Sequence, residues 1–133
     1  MPKELGRLRA ADVMTQNPIR LRSDLSIRQA FDEFGKTPYR LMPVVDVDDR
    51  LLGYVTLEDL TFLSRTVIDT KLKEAGLQTP LVFREGDPVT RVIEEMIDQE
   101  EDHCFVVGER GELMGIISTI DLARLLLSYY TVD

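Results

Sequence analysis

One offset constrains this chain more than any other feature. Asp59 and Asp121 lie 62 residues apart, and so do Gly53 and Gly115, Pro18 and Pro80, Arg22 and Arg84, and Glu33 and Glu95. The same spacing pairs Val44-Val45 with Val106-Val107, Leu51 with Leu113 and Leu60 with Leu122. No gap is needed from Gln16/Gln78 to Leu63/Leu125. The chain is two copies of one unit, 16–63 and 78–125. Two copies are too few for a solenoid. A copy of about 50 residues is marginal alone, and a pseudo-twofold pair solves that by burying one copy against the other.

Each copy carries the same punctuation. Pro18 and Pro80 precede short extended pieces, Ile19–Leu21 and Leu81–Phe83. Ser26 suits a helix N-cap, with Gln29 placed for a capping box, and Pro88 suits a first helical turn. Ile27, Ala30, Phe31 and Phe34 recur at helical spacing, as do Val89, Val92, Ile93 and Met96. Two strands follow, Leu41–Val45 with Leu51–Val55 and Cys104–Val107 with Leu113–Ile117, joined by the turn-rich DVDDR and GERGE. A second helix starts at Thr56 or Ser118, with apolar faces at Leu57, Leu60 and Leu63 and at Leu122, Leu125 and Leu126. The unit is strand–helix–strand–strand–helix.

Lys71, Lys73 and Glu74 among Val67, Ile68, Leu72 and Ala75 predict a helix within Ser64–Gly76, ended by Gly76. The ends, 1–13 and 126–133, are expected as flanking helical segments. The resulting division is a first repeat with an N-terminal helical segment at 1–66, a linker at 67–77, and a second repeat with a C-terminal helix at 78–133.

The most informative segments are GYVTLED, Gly53–Asp59, and GIISTID, Gly115–Asp121. A glycine permits a tight bend or close approach by another group. The hydroxyl stands at a strand-to-helix junction, where first-turn N–H groups and a partial positive charge favour anions. The aspartate three residues on can accept two hydrogen bonds from a vicinal diol, as an acidic residue does on a ribose. The plainer role is a cap, since Ser/Thr-x-x-Asp also describes a carboxylate reaching back to its own chain. Two occurrences behind the same glycine and strand favour shared ligand-binding ancestry, and the two roles can coexist.

With VMTQNPIRL at Val13–Leu21, RLMPVVD at Arg40–Asp46 and the matching second-copy segments, these motifs make the chain resemble a pair of cystathionine-β-synthase (CBS) domains, a Bateman module. The resemblance implies an α+β fold in which two β-α-β-β-α repeats pack by their sheets about a pseudo-twofold axis. It implies clefts that bind AMP, ADP, ATP or S-adenosylmethionine, a homodimer, and signalling to an effector protein whose identity the sequence does not give. Residue by residue, it places Thr15, Asn17, Pro18 and Ile19 along a base, flanked by Tyr39 and Arg40. Asp121 is placed on the ribose, with Ser118 and His103 toward phosphate. A weaker second site would use Gln78, Thr79, Pro80 and Leu81 with Thr56 and Asp59. There Glu58 and Asp102 would oppose a phosphate, and Ala75-Gly76-Leu77 replaces the VMT segment.

His103 has a second reading, a partly exposed histidine held by acidic neighbours. Cys104 alternates inward with Val106 and is expected in the core. Tyr129 and Tyr130 suit either a dimer contact or packing within the monomer.

Charge and motif content narrow the function classes. The net charge of −8 disfavours nucleic acid. The five cations within the first 22 residues read as a solvated face. The acidic run from Glu94 to Asp102 reads as a solubilising helix face rather than a metal site. With one cysteine no intrachain disulfide can form, which fits a cytoplasmic protein. No run is apolar enough to span a bilayer, and no signal peptide is evident at the N-terminus. There is no P-loop, dinucleotide fingerprint, zinc spacing or nucleophile constellation, so a regulatory sensor with no required cofactor is expected rather than an enzyme. The alternative is a ligand-free dimerisation or docking adaptor.

Overall fold

Ser26 opens the first long helix as its sequence requires. Its hydroxyl accepts the Gln29 backbone N–H at 3.1 Å, while the Gln29 carboxamide oxygen accepts the Ser26 N–H at 2.9 Å. In this computed structural model, which describes residues 4–130, that helix is the second of five. They are α1 (Ala10–Val13), α2 (Ile27–Gly35), α3 (Leu57–Leu63), α4 (Val89–Asp98) and α5 (Thr119–Tyr130). The strands are β1 (Thr15–Gln16), β2 (Leu21–Arg22), β3 (Leu41–Val45), β4 (Leu51–Thr56), β5 (Val82–Arg84), β6 (His103–Val107) and β7 (Leu113–Ser118). Positions 1–3 and 131–133 of the predicted flanking helices lie outside the described residues. None of the helices described is long and apolar enough to cross a membrane.

The chain forms two compact units, Ile19–Pro80 on one hand, and residues up to Pro18 with those from Leu81 on the other. In the first, β2 runs parallel to β3 and β3 antiparallel to β4. Leu21, Met42, Val44 and Val55 meet Ile27, Ala30 and Phe34 of α2 and Leu60 of α3 in one core. In the second, the strand order is β1-β7-β6-β5. There Phe83, Cys104, Val106 and Ile117 pack with Val92, Met96, Leu122 and Ala10. By chain order residues 10–16 precede the first copy; in space they complete the sheet and core of the second.

The repeat survives in detail. Leu41 faces Thr56 as His103 faces Ser118, and both hairpins shift register at the same place, Val44/Val45 and Val106/Val107. It also reaches further back than position 16. Arg9 bridges Pro88 as Lys71 bridges Ser26, so each second valine or leucine strap crosses the start of a helix. The carbonyls of Ile68 and Thr70 accept the N–H groups of Arg28 and Ile27, two orphan donors of α2's first turn. This explains the main difference from the sequence reading. Ser64–Gly76 is not a helix but a strap with one 3-10 turn at Leu72–Glu74, because its polar backbone groups cap α2 and its Leu72 is buried in the core. Gly76 does take the left-handed conformation, φ 86°. Pro88 stands at the N-cap of α4, one position before the first turn. Arg20 is no solvated cation, since its mostly buried side chain meets Asp49 at 2.7 Å.

The offset also slips by one where each lead-in meets its sheet. Thr15 faces Ile116 and Gln16 faces Gly115, whereas Gln78 faces Tyr54. Gln78 therefore stands where Thr15 does, and not where Gln16 does. Asn17 absorbs the extra residue with a positive φ of 49°, a conformation asparagine tolerates. A one-residue slip turns side chains to the opposite face.

Gly53 and Gly115 make these crossings possible. A Cβ on Gly53 would stand 2.7 Å from both the Gln78 carbonyl oxygen and the Leu77 Cβ. One on Gly115 would stand 2.5 Å from the Met14 sulfur. Backbone cannot yield as a methionine end can. Gly53→Ala is expected to cost about 1–3 kcal/mol and Gly115→Ala less, measured by urea unfolding.

Candidate functional site

Both predicted hydroxyl–aspartate pairs form, each as a reciprocal cap. Thr56 Oγ1 accepts the Asp59 N–H at 3.1 Å, and Asp59 Oδ2 accepts the Thr56 N–H at 3.2 Å. Ser118 Oγ accepts the Asp121 N–H at 3.3 Å, and Asp121 Oδ2 accepts the Ser118 N–H at 2.9 Å and its hydroxyl at 3.0 Å. Every one of these carboxylate bonds lands on Oδ2. Among the described residues no hydrogen bond reaches Oδ1 of either aspartate, so capping leaves one oxygen of each available.

The helix starts hold less free capacity for an anion than the sequence implies. Leu57 donates its N–H to the Arg40 carbonyl at 2.8 Å, and Thr119 donates to that of Asp102 at 3.0 Å. With the Asp59 and Asp121 N–H groups also bonded, Glu58 and Ile120 carry the first-turn N–H groups left over.

The unit completed by the N-terminal segment gathers most of the stronger predicted site. Thr15 lies on β1 beside Ile116, two residues before Ser118 on the same strand. Asn17 donates its N–H to the Met114 carbonyl at 3.0 Å, and Pro18 follows. His103 faces Ser118 across the β6–β7 pair. Ile19, Tyr39 and Arg40 belong to the other unit. There Tyr39 and Arg40 line a groove of about 620 Å³ with Phe31, Phe34, Leu57 and Thr61. Of the second predicted set, Thr56, Asp59, Gln78, Thr79 and Pro80 share one unit, while Leu81 starts the other. Asp102 borders α5, the helix of Asp121, and Arg40 borders α3, the helix of Asp59. Backbone pairing thus puts each charge beside the aspartate opposite to the one its sequence role suggested.

His103 is not partly exposed. It is 8% accessible, its Nδ1 lies 2.8 Å from Asp102 Oδ1, and its ring meets Phe105 edge-on at 5.5 Å. Glu101 and Asp102 bring carboxylate oxygens within 4.8 Å of its ring nitrogen, but these three are consecutive residues at a strand entry. Tyr129 is partly exposed on α5, and the Tyr130 side chain lies outside the described residues.

The residue that sequence reasoning misused is Gln78. Its side chain, not only its backbone, engages the site, with Nε2 donating to Asp59 Oδ2 at 2.7 Å and Oε1 accepting from the Tyr54 hydroxyl at 3.1 Å. The signal was present in Tyr54, which stands 62 residues before the apolar Ile116.

Comparison with known proteins fits this geometry. The pattern of the CBS domain matches residues 10–65 and 72–128. This chain therefore belongs to the CBS-domain family, and it carries two copies. A zinc metalloprotease of Methanocaldococcus jannaschii is 32% identical over 88% of this chain, which spans only 32% of that protein's length. Among solved structures, CBSX2 in complex with AMP superposes with a TM-score of 0.79 at 20% identity, covering 93% of this chain and 99% of that one. A CBS domain pair in complex with 5′-methylthioadenosine and S-adenosyl-L-methionine gives 0.74 at 23% identity, covering 91% and 97%.

Cys104, between His103 and Phe105, is fully buried. Burial pushes its thiol up to about 12, and the Asp121 charge adds to the shift. The unfolded chain releases this proton from about 9.0, so the unfolded state binds fewer protons above that pH and stability falls. Between pH 9.0 and about 12 the decline from this group is expected at up to about 1.4 kcal/mol per pH unit. Denaturant melts across that range should show it in the wild type and lack it in Cys104→Ala.

Proposed function

We propose that this CBS pair is a ligand-sensing regulatory module. It binds an adenosine compound, AMP, ADP, ATP or S-adenosylmethionine, with Thr15, Asn17 and Pro18 along the base and Asp121 on the ribose. The observation that carries the reading is the free Oδ1 of Asp121 on a carboxylate already fixed by its cap. A preorganised acceptor loses little entropy when a diol arrives. Ser118 holds that carboxylate, and the leftover Ile120 N–H is the group suited to a phosphate oxygen. Ile19, Tyr39, Arg40 and His103 complete the proposed set. Thr56, Asp59, Gln78, Thr79, Pro80 and Leu81 form the weaker counterpart. The AMP and S-adenosylmethionine complexes of proteins with this fold support the ligand class.

Signalling follows if the ligand binds one conformation better than another, since it can shift the equilibrium only by that difference. The partner that reads the shift is an effector protein, and the sensor acts as a homodimer in the cytoplasm. The adaptor reading draws on one observation, the exposed apolar side chains of Phe62, Ile97, Ile120 and Leu127 on the helices. These suit docking with or without a nucleotide.

Thermal unfolding with each of the four compounds tests the sensor. Ligand at a hundred times its dissociation constant adds about 2.7 kcal/mol, a rise of several degrees for a domain of this size. In Asp121→Ala the rise should vanish at the same ligand concentration. That variant also loses a cap, at about 0.5–2 kcal/mol, so each protein is compared with itself unliganded. No rise with any compound at millimolar concentration leaves the adaptor.

A further inference from the structure

The one-residue slip between the two lead-in segments gives the units unequal aspartates. Gln78 pairs with Tyr54 through both backbone groups, its N–H to the Tyr54 carbonyl at 3.0 Å and its carbonyl from the Tyr54 N–H at 3.2 Å. That pairing places its side chain on the face of Tyr54 and Thr56. The carboxamide then bridges two groups with its polarity matched to both. Oε1 takes the Tyr54 hydroxyl proton, and Nε2 gives a proton to the Asp59 carboxylate. In the other unit Thr15 holds the register position and Ile116 replaces Tyr54. Among the described residues nothing beyond Ser118 bonds the Asp121 carboxylate.

Lack of space does not close the Asp59 site. A groove of about 300 Å³ runs beside it, lined by Glu58, Asp59, Phe62, Ala75, Gly76 and Gln78. What stands over it is an exposed, hydrogen-bonded side chain.

We propose that Gln78 is a latch on Asp59, a specificity-determining residue that withholds this carboxylate from a ligand's diol and so confines adenosine binding to the Asp121 site. The latch rests on the reading of the aspartates as ribose acceptors. A diol arriving at Asp59 must displace a charge-assisted bond, and because that bond is solvent-exposed the handicap is roughly three- to tenfold in affinity.

Calorimetric titration with AMP and, separately, S-adenosylmethionine tests it. In an Asp121→Ala background, where only the Asp59 site is read, adding Gln78→Ala should tighten binding roughly three- to tenfold. Adding Asp59→Ala as well should remove the gain. Gln78→Ala alone should raise the stoichiometry from one toward two ligands per chain. Without ligand, the Gln78 side-chain amide resonance should move in both Tyr54→Phe and Asp59→Ala. Wild-type binding with equal or weaker affinity in the Gln78→Ala background overturns the latch and leaves the sensor standing. No binding of either compound by the wild type or any variant overturns the sensor reading, and the latch with it.

Discussion

Two glycines decide where the chain can cross itself. On each central strand, β4 and β7, the missing Cβ of Gly53 or Gly115 opens the only depth at which a neighbouring segment can lie flat. Leu77 fills one opening and Met14 the other. Once Met14 is seated, Thr15 and Gln16 fall into register with β7, and Ala10 reaches the core of that unit. Once Leu77 is seated, Gln78 pairs with Tyr54, and the strap before it can bury Leu72 and cap α2. The strands downstream would pair without these crossings. The lead-in residues would have no fixed place, and the aspartates would have no neighbours.

The aspartates show how one side chain serves structure and chemistry together. A carboxylate has two oxygens, and a helix start needs one of them. Using Oδ2 for the cap locks the side-chain torsions and aims Oδ1 outward at no further entropic cost. This is why a capping motif and a ligand motif can be the same four residues. It is also why counting caps in the sequence cannot separate the two roles.

Much of this was legible before any coordinates. The strands, their turns, the Ser26 box and both hydroxyl–aspartate caps follow from local chemistry, and the constant offset carries them from one copy to the other. What failed was tertiary. The apolar spacing of Val67, Ile68, Leu72 and Ala75 fits a helix, but that segment's carbonyls had orphan N–H groups to satisfy elsewhere. The offset hid a slip, because Asn17 takes up one residue without a visible gap between Gln16/Gln78 and Pro18/Pro80. Hence Gln78 was matched to Gln16 instead of Thr15, and the bonds of its side chain were missed. The burial of His103 was hidden by its acidic neighbours, which made a buried strand position look like a surface loop. The family resemblance is carried by the repeated motifs, while the difference between the two aspartates depends on a register that no motif records.

The exchange of the first residues has a consequence for synthesis on the ribosome. Residues 19–80 contain every strand and helix of their own unit, so that unit can close as soon as Pro80 has cleared the exit tunnel. The segment made first must wait for the strand made last, because β1 has nothing to pair with until β7 exists. Its contacts therefore span nearly the whole chain, and such long loops close slowly. Until then Leu8, Ala10 and Met14 remain an unpaired apolar leader, the kind of surface that nascent-chain chaperones hold. Translation pace across the second half, rather than the stability of the finished fold, sets how long that leader is exposed.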